Sequence, residues 1–181
     1  MRLKTLTEDV VEASKITSGN IKLECMKLDF TELVLQTSAE YEEKFEERNL
    51  TEIQHLPKEK ALVYIDGRRT WRILANLYNN AAKYAMTGSR IYTDLKVTEG
   101  AVIFSIKNIS EQPLNINADQ LTERFIRGDI SRSTEGSGLG LSIAQTLTEM
   151  QKGKFELYLD GDLFKATVTF PKVQEEQSTQ I

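Results

Sequence analysis

One stretch limits the possible folds and functions more than any other: Trp71-Arg72-Ile73-Leu74-Ala75-Asn76-Leu77-Tyr78-Asn79-Asn80-Ala81-Ala82-Lys83-Tyr84-Ala85. Ile73, Leu74, Leu77 and Ala81 recur at helical spacing and form one apolar face. Asp66 is placed to cap a helix over residues 67–86, and Gly88 to end it. Such a face has to be buried against a second layer of structure. Asn76, Asn80, Lys83 and Tyr84 follow one another at spacings of four, three and one. Residues three or four apart share a helix face, so two amides, an ammonium and an aromatic ring line one strip. Asparagine is a mediocre helix former, and two aligned copies inside a helix suggest a use. An amide oxygen can ligate Mg²⁺ without adding negative charge. Lys83 can meet phosphate oxygens, and Tyr84 can lie against a base. Taken alone, the strip is better explained as a polar face that meets water.

Around this helix the chain alternates apolar periods with turn signals. Residues 2–17 read as an amphipathic helix with Leu3, Leu6, Val10, Ala13 and Ile16 on a narrow seam. That seam fits a helix packed on its own domain or the end of a dimerising helix. A short strand or turn is expected over 21–28 and a second helix over 30–48, its outer face carrying Glu40, Glu42, Glu43, Glu46 and Glu47. This acidic run reads as a solvated face. Strands are expected over 50–55 and 61–65, and a hairpin over 90–97 and 101–106. Residues 108–135 are polar and irregular, and loops of that length tend to be functional. A helix over 138–151 and strands over 154–159 and 163–170 close the chain, joined through Asp160-Gly161-Asp162. Strands pair mainly with their sequence neighbours, so the order predicts an α/β two-layer sandwich: a mixed, mostly antiparallel sheet with helices on one face. The polar tail over 174–181 is expected to be disordered.

Composition removes several function classes. The net charge of -4 gives no global positive field for nucleic acid. One cysteine, Cys25, and one histidine, His55, cannot build a Cys/His zinc cluster and are a weak basis for a hydrolase triad. A lone cysteine forms no internal disulfide, which suits a reducing cytosol. No apolar run approaches the ~20 residues that cross a bilayer, so a soluble, cytoplasmic domain is expected.

Two further patterns carry chemistry. Gly136-Ser137-Gly138-Leu139-Gly140-Leu141-Ser142-Ile143-Ala144 is a glycine-rich turn opening into a helix, where free N–H groups and the helix dipole favour an anion. It is neither a Walker loop nor the dinucleotide fingerprint. Before it stands Glu123-Arg124-Phe125-Ile126-Arg127-Gly128-Asp129-Ile130-Ser131-Arg132, whose arginines can clamp phosphate.

In this order the three patterns resemble the N box, F box and G2 box of bacterial sensor histidine kinases, over about residues 20–172. The resemblance implies the Bergerat ATP-binding fold, shared with gyrase-like ATPases and Hsp90-type chaperones. It implies ATP and Mg²⁺ as cofactors and transfer of the γ-phosphoryl group to a histidine. Asn80 would hold Mg²⁺ and Asn76 the nucleotide phosphates. Lys83 would reach phosphate, and Tyr84 would pack near adenine. Arg127 and Arg132 would approach the phosphates as a lid closes. Gly136, Ser137, Gly138, Leu139, Gly140 and Leu141 would form the phosphate-facing hinge. By the same resemblance residues 1–19 are the end of a dimerisation hairpin, 20–173 the catalytic domain and 174–181 a tail. The implied partners are the phosphoacceptor helix of the parent kinase, a response regulator receiver domain and, in the full-length protein, a second copy. The parent is expected to be anchored in the cell membrane.

The sequence departs from the family pattern in two places. Lys107-Asn108-Ile109-Ser110-Glu111-Gln112-Pro113 replaces the family's Asp-x-Gly-x-Gly, so Asn108 stands where an adenine-reading aspartate belongs. Its carbonyl can still accept from the adenine amine, without charge. Weaker nucleotide binding is expected, and the alternative is a degenerate binding module without kinase activity. Arg72 occupies the position where ATPase branches carry a general-base glutamate, which favours transfer to a separate acceptor over water. His55 lies between strands rather than on an acceptor helix, so no self-phosphorylation is expected.

Overall fold

The computed structural model describes residues 22–114 and 139–173. The expected helix over 2–17, Arg127, Arg132, the run Gly136-Ser137-Gly138 and the tail lie outside the described residues.

β1 (Met26–Asp29) runs directly into α1 (Phe30–Glu46). Asp29 makes the junction: its carboxylate accepts from the Thr31 N–H at 3.0 Å and the Ala61 N–H at 3.1 Å. A side chain that accepts from the first turn satisfies a donor with no partner inside the helix. β2 (Thr51–His55) and β3 (Leu62–Ile65) lead to α2 (Gly67–Tyr84), which Asp66 caps through the Arg69 N–H, as the sequence predicts. β4 (Arg90–Val97), β5 (Ala101–Ile109), α3 (Gly140–Met150), β6 (Lys154–Asp160) and β7 (Leu163–Pro171) complete the order. Gly161, at φ 56°, closes the β6–β7 turn in a conformation that favours glycine.

Of the element ends that differ from the sequence expectation, two bear on the site. α2 stops at Tyr84 because Ala85 is extended (φ -63°, ψ 145°) and bridges to Ser110. β5 continues past residue 106 to Ile109. There Asn108 pairs with Ile91 of β4 on one side and with Phe164 of β7 on the other. Asn108 therefore sits inside the sheet, not at the head of an irregular loop. Two-sided backbone pairing overrides the poor strand propensity of its polar neighbours.

The main sheet has the order β2-β4-β5-β7-β6, with β2 and β4 parallel and every other pair antiparallel. β1 and β3 form a separate antiparallel pair, tied to the end of β7 by the Val63–Lys172 bridge. Alternate residues of the central strands are buried: Ile91, Thr93 and Leu95; Val102, Phe104 and Ile106; Phe164, Ala166, Val168 and Phe170. That one-sided period is the mark of a sheet covered by helices on one face. Phe30 at the start of α1 packs on Phe104 and Phe170, with ring centroids 6.0 and 5.6 Å away. Tyr78 of α2 stacks between Phe45 and Phe104. The opposite face of the sheet is polar: Asp94 accepts from His55 Nδ1 at 2.7 Å and Lys107 Nζ at 3.0 Å. His55 is an exposed strand-end residue, as its position in the sequence suggests.

Burial explains why α2 tolerates three asparagines, Asn76, Asn79 and Asn80. Each costs roughly half a kcal/mol of helix propensity relative to alanine. Ile73, Leu74 and Leu77 are fully buried, and such side chains contribute about 1.5–3 kcal/mol apiece.

Candidate nucleotide site

The rotation of α2 about its axis decides where its polar strip points, and α1 fixes that rotation from behind. Trp71 Nε1 donates to Glu40 Oε2 at 3.0 Å, and the Tyr41 hydroxyl donates to the Ala75 carbonyl at 2.8 Å. Tyr78 donates to Glu52 Oε1 at 2.8 Å, and Glu52 also accepts from Thr93 and Ser38, each at 2.6 Å. Burial, with the Glu40 charge, pushes the Tyr41 phenol up to about 12. Burial and the Glu52 charge raise Tyr78 well above its ordinary value. Both phenols are therefore neutral donors at physiological pH.

The last turn of α2 is closed carbonyl by carbonyl. Ala81 O accepts from the Ala85 N–H at 3.0 Å, and Tyr84 O from the Glu111 N–H at 2.8 Å. Arg48 Nη1 donates to Ala82 O at 2.8 Å and to Lys83 O at 2.5 Å. Its Nη2 reaches Thr87 Oγ1 at 3.1 Å and Glu111 Oε2 at 2.6 Å. Sequence reasoning assigned nothing to Arg48 or Glu111. Their partners are far apart in the chain, so no local pattern marks them.

With α2 so held, Asn76 meets the start of α3. A Cβ added to Gly140 would sit 3.4 Å from Asn76 Oδ1, so glycine allows the two helices to approach here. Asn76 Nδ2 is buried and has no hydrogen-bond partner. Leaving such a group unmet costs roughly 1–3 kcal/mol, which an arriving acceptor would recover. No side chain caps the first turn of α3, whose N-cap residue is Leu139. The positive end of α3 thus lies beside the orphaned Asn76 donor, an arrangement suited to an anion.

Asn80 is half-buried, one turn beyond Asn76. Lys83 Nζ lies 4.7 Å from the centre of the Tyr84 ring, and Tyr84 is partly exposed. Asn108 faces the helices from β5 and is only 3% exposed, yet its Oδ1 has no partner. It lies near the end of α2, since Ile109 O accepts from the Met86 N–H at 2.8 Å and the Glu111 N–H reaches Tyr84 O. The Leu141 side chain is buried on the apolar side of α3 with Ile143, Ala144 and Leu147. Only its backbone is available to a ligand.

The donor set fits a magnesium-bound nucleotide. Among the described residues no three His, Cys, Asp or Glu side chains gather as an ion site. A hard cation at this strip would take the Asn80 amide oxygen and complete its shell from phosphates and water.

A carboxylate-free helix bearing amides is set against a glycine-started helix over a mixed sheet, which makes an α/β sandwich. The chain belongs to the histidine kinase-, DNA gyrase B- and HSP90-like ATPase family, whose model matches residues 65–177. It is 31% identical over 179 residues to the histidine protein kinase SaeS of Staphylococcus aureus, covering 95% of this chain and 50% of that protein. It is 29% identical over 150 residues to the adaptive-response sensory kinase SasA of Synechocystis, covering 82% and 39%. The chain thus spans half or less of the length of these curated relatives. Its fold matches the histidine kinase AdeS of Acinetobacter baumannii with a TM-score of 0.73 at 20% identity, over 95% of this chain and 79% of that one. It also matches the histidine kinase ThkA, solved in complex with the response regulator TrrA, with a TM-score of 0.70 at 23% identity, over 95% and 48%.

Proposed function

We propose that this chain is the ATP-binding catalytic part of a sensor histidine kinase, which passes the γ-phosphoryl group of Mg-ATP to a histidine on a dimerisation helix. One observation carries the reading: the buried, unpartnered Asn76 amide against Gly140 at the start of α3. Asn80 holds Mg²⁺, which neutralises charge on the phosphates when bound. Asn76 and Lys83 hold phosphate oxygens, and Tyr84 and Asn108 take the base. Arg127, Arg132 and the run Gly136-Ser137-Gly138 complete the phosphate side. Phosphoryl transfer asks little covalent chemistry of a protein, so positioning and electrostatics suffice. Arg72 supplies a cation where a water-activating ATPase needs a carboxylate, which supports a side-chain acceptor. His55 is exposed and bonded to Asp94 on the polar face of the sheet, which supports an acceptor elsewhere.

The partners follow from that reading. They are the phosphoacceptor helix of the parent, with residues 1–19 as the end of its hairpin, a second copy of the parent, and a response regulator receiver domain. The solved ThkA–TrrA complex supports the last. No described helix is long and apolar enough to cross a bilayer. The neutral Asn108 favours a second reading, a module that binds nucleotide weakly without transferring phosphate.

Calorimetry with Mg-ATP on the wild type and on Asn80→Ala tests the assignment. Magnesium-dependent binding that Asn80→Ala abolishes is expected. No binding at millimolar nucleotide would overturn it. With labelled ATP the chain should form no phosphohistidine, and a stable label on His55 would refute the acceptor assignment.

A further inference from the structure

We propose that Arg48 is a positioning residue for the nucleotide site; the inference rests on the reading that Asn80 and Lys83 hold Mg-ATP. Three segments meet at its guanidinium. The last turn of α2 presents the carbonyls of Ala82 and Lys83, the following turn presents Thr87 Oγ1, and the chain leaving β5 presents the Glu111 carboxylate. The backbone of Arg48 is held as well, since its carbonyl accepts from the Gly88 N–H at 3.1 Å.

Each segment bears on one side of the site. The last turn of α2 carries Asn80, Lys83 and Tyr84. Glu111 lies three residues past Asn108, and its N–H already closes on Tyr84 O. One planar fork therefore sets the distance between the groups on α2 and the orphaned amide of Asn108. Arginine suits this task because its five donors lie in a fixed plane, whereas an ammonium has three donors on a flexible stem. The guanidinium also places positive charge at the negative end of α2. An exposed ion pair adds little stability on its own, and the Glu111 side chain is 50% exposed. Its contribution here is to register two segments against each other.

The test uses the full chain with Arg48→Gln, Arg48→Lys and Glu111→Gln. Mg-ATP affinity is measured by calorimetry at a temperature where circular dichroism shows each variant folded. The amide NMR signals of Asn80, Lys83 and Asn108 are recorded alongside. Groups that orient a ligand from behind typically change affinity about ten- to hundredfold, and a rise in Kd of about tenfold is expected for Arg48→Gln. Arg48→Lys should recover much of the melting temperature but not the affinity. Glu111→Gln should leave the melting temperature unchanged, raise Kd to a smaller degree and shift the Asn80 and Asn108 signals together. A plain helix cap behaves differently: Arg48→Lys would restore stability and affinity alike, and Glu111→Gln would alter neither. That result overturns the proposal, and Arg48→Lys with Glu111→Gln decides it even if Arg48→Gln does not fold. Wild-type protein that binds no Mg-ATP sinks the functional reading and this inference with it. Normal Asn80-dependent binding that ignores all three variants sinks this inference alone.

Discussion

Asn108 is almost wholly buried, carries an acceptor with nothing to accept from, and stands in the strand at the middle of the sheet. An aspartate there would put an ionised group in the same place, and a buried charge without a partner is expensive. Asn108→Asp is therefore expected to lower the melting temperature of the ligand-free protein. An adenine nucleotide offering an N–H donor should recover more of that loss than it gains for the wild type. Thermal melts with and without Mg-ATP check both halves. Tyr41 gives a prediction from pH. Its folded-state pKa lies above the ordinary value of 10.0, at about 12. Its contribution to stability is present in full below pH 10 and drains away as pH rises toward about 12. Tyr41→Phe should flatten that alkaline decline in melts taken between pH 9 and 12. The residues legible in the sequence are those whose logic is local. Helical spacing aligns Asn76, Asn80 and Lys83 on one strip, and the resemblance to the N box suggests a use for it. Arg48 and Glu111 lie 63 positions apart, and Glu52 meets Tyr78 26 positions away. No periodicity connects such pairs, so only the folded chain reveals them.

Among the elements, the helices were readable because each carries an apolar stripe and at least one end signal. Asp66 before α2 is the clearest, with its side chain on the Arg69 N–H. Composition alone ends β5 at Ile106 because Lys107 and Asn108 are poor strand formers, although the backbone of β7 pairs with both and with Ile109. The join between α3 and β6 is tight. A Cβ on Gly153 would fall 2.7 Å from the ring of Phe170 and 2.8 Å from Thr148 Cγ2, and both residues are fully buried. Neither can move aside without disturbing the core, and overpacking of this kind costs roughly 1–3 kcal/mol. Gly153→Ala should lower stability by that amount in urea melts. Gly140→Ala faces only a 3.4 Å approach to a half-buried amide. It should fold normally while crowding Asn76, and so should weaken Mg-ATP binding more than it lowers the melting temperature.

At the scale of the whole molecule, the layer order was legible in the alternation of hairpins and helices. The parallel β2–β4 pairing was not, because it depends on α2 crossing the sheet between them. That crossing brings the amide strip, β5 and the start of α3 to a common place, so ligand binding and global stability are linked. A ligand at a hundred times its Kd stabilises the folded state by about 2.7 kcal/mol. Saturating Mg-ATP should raise the melting temperature accordingly, and magnesium chloride alone should leave it unchanged. A shift with the bare salt would contradict the amide-only description of the strip.

The lack of carboxylates on that strip governs how the metal travels. A free dication meets amide dipoles and the Lys83 ammonium among the described side chains of the strip, with no anion to hold it. On the proposed reading magnesium is cargo of the nucleotide: it enters with ATP and departs with ADP, and between turnovers the protein keeps no resident ion.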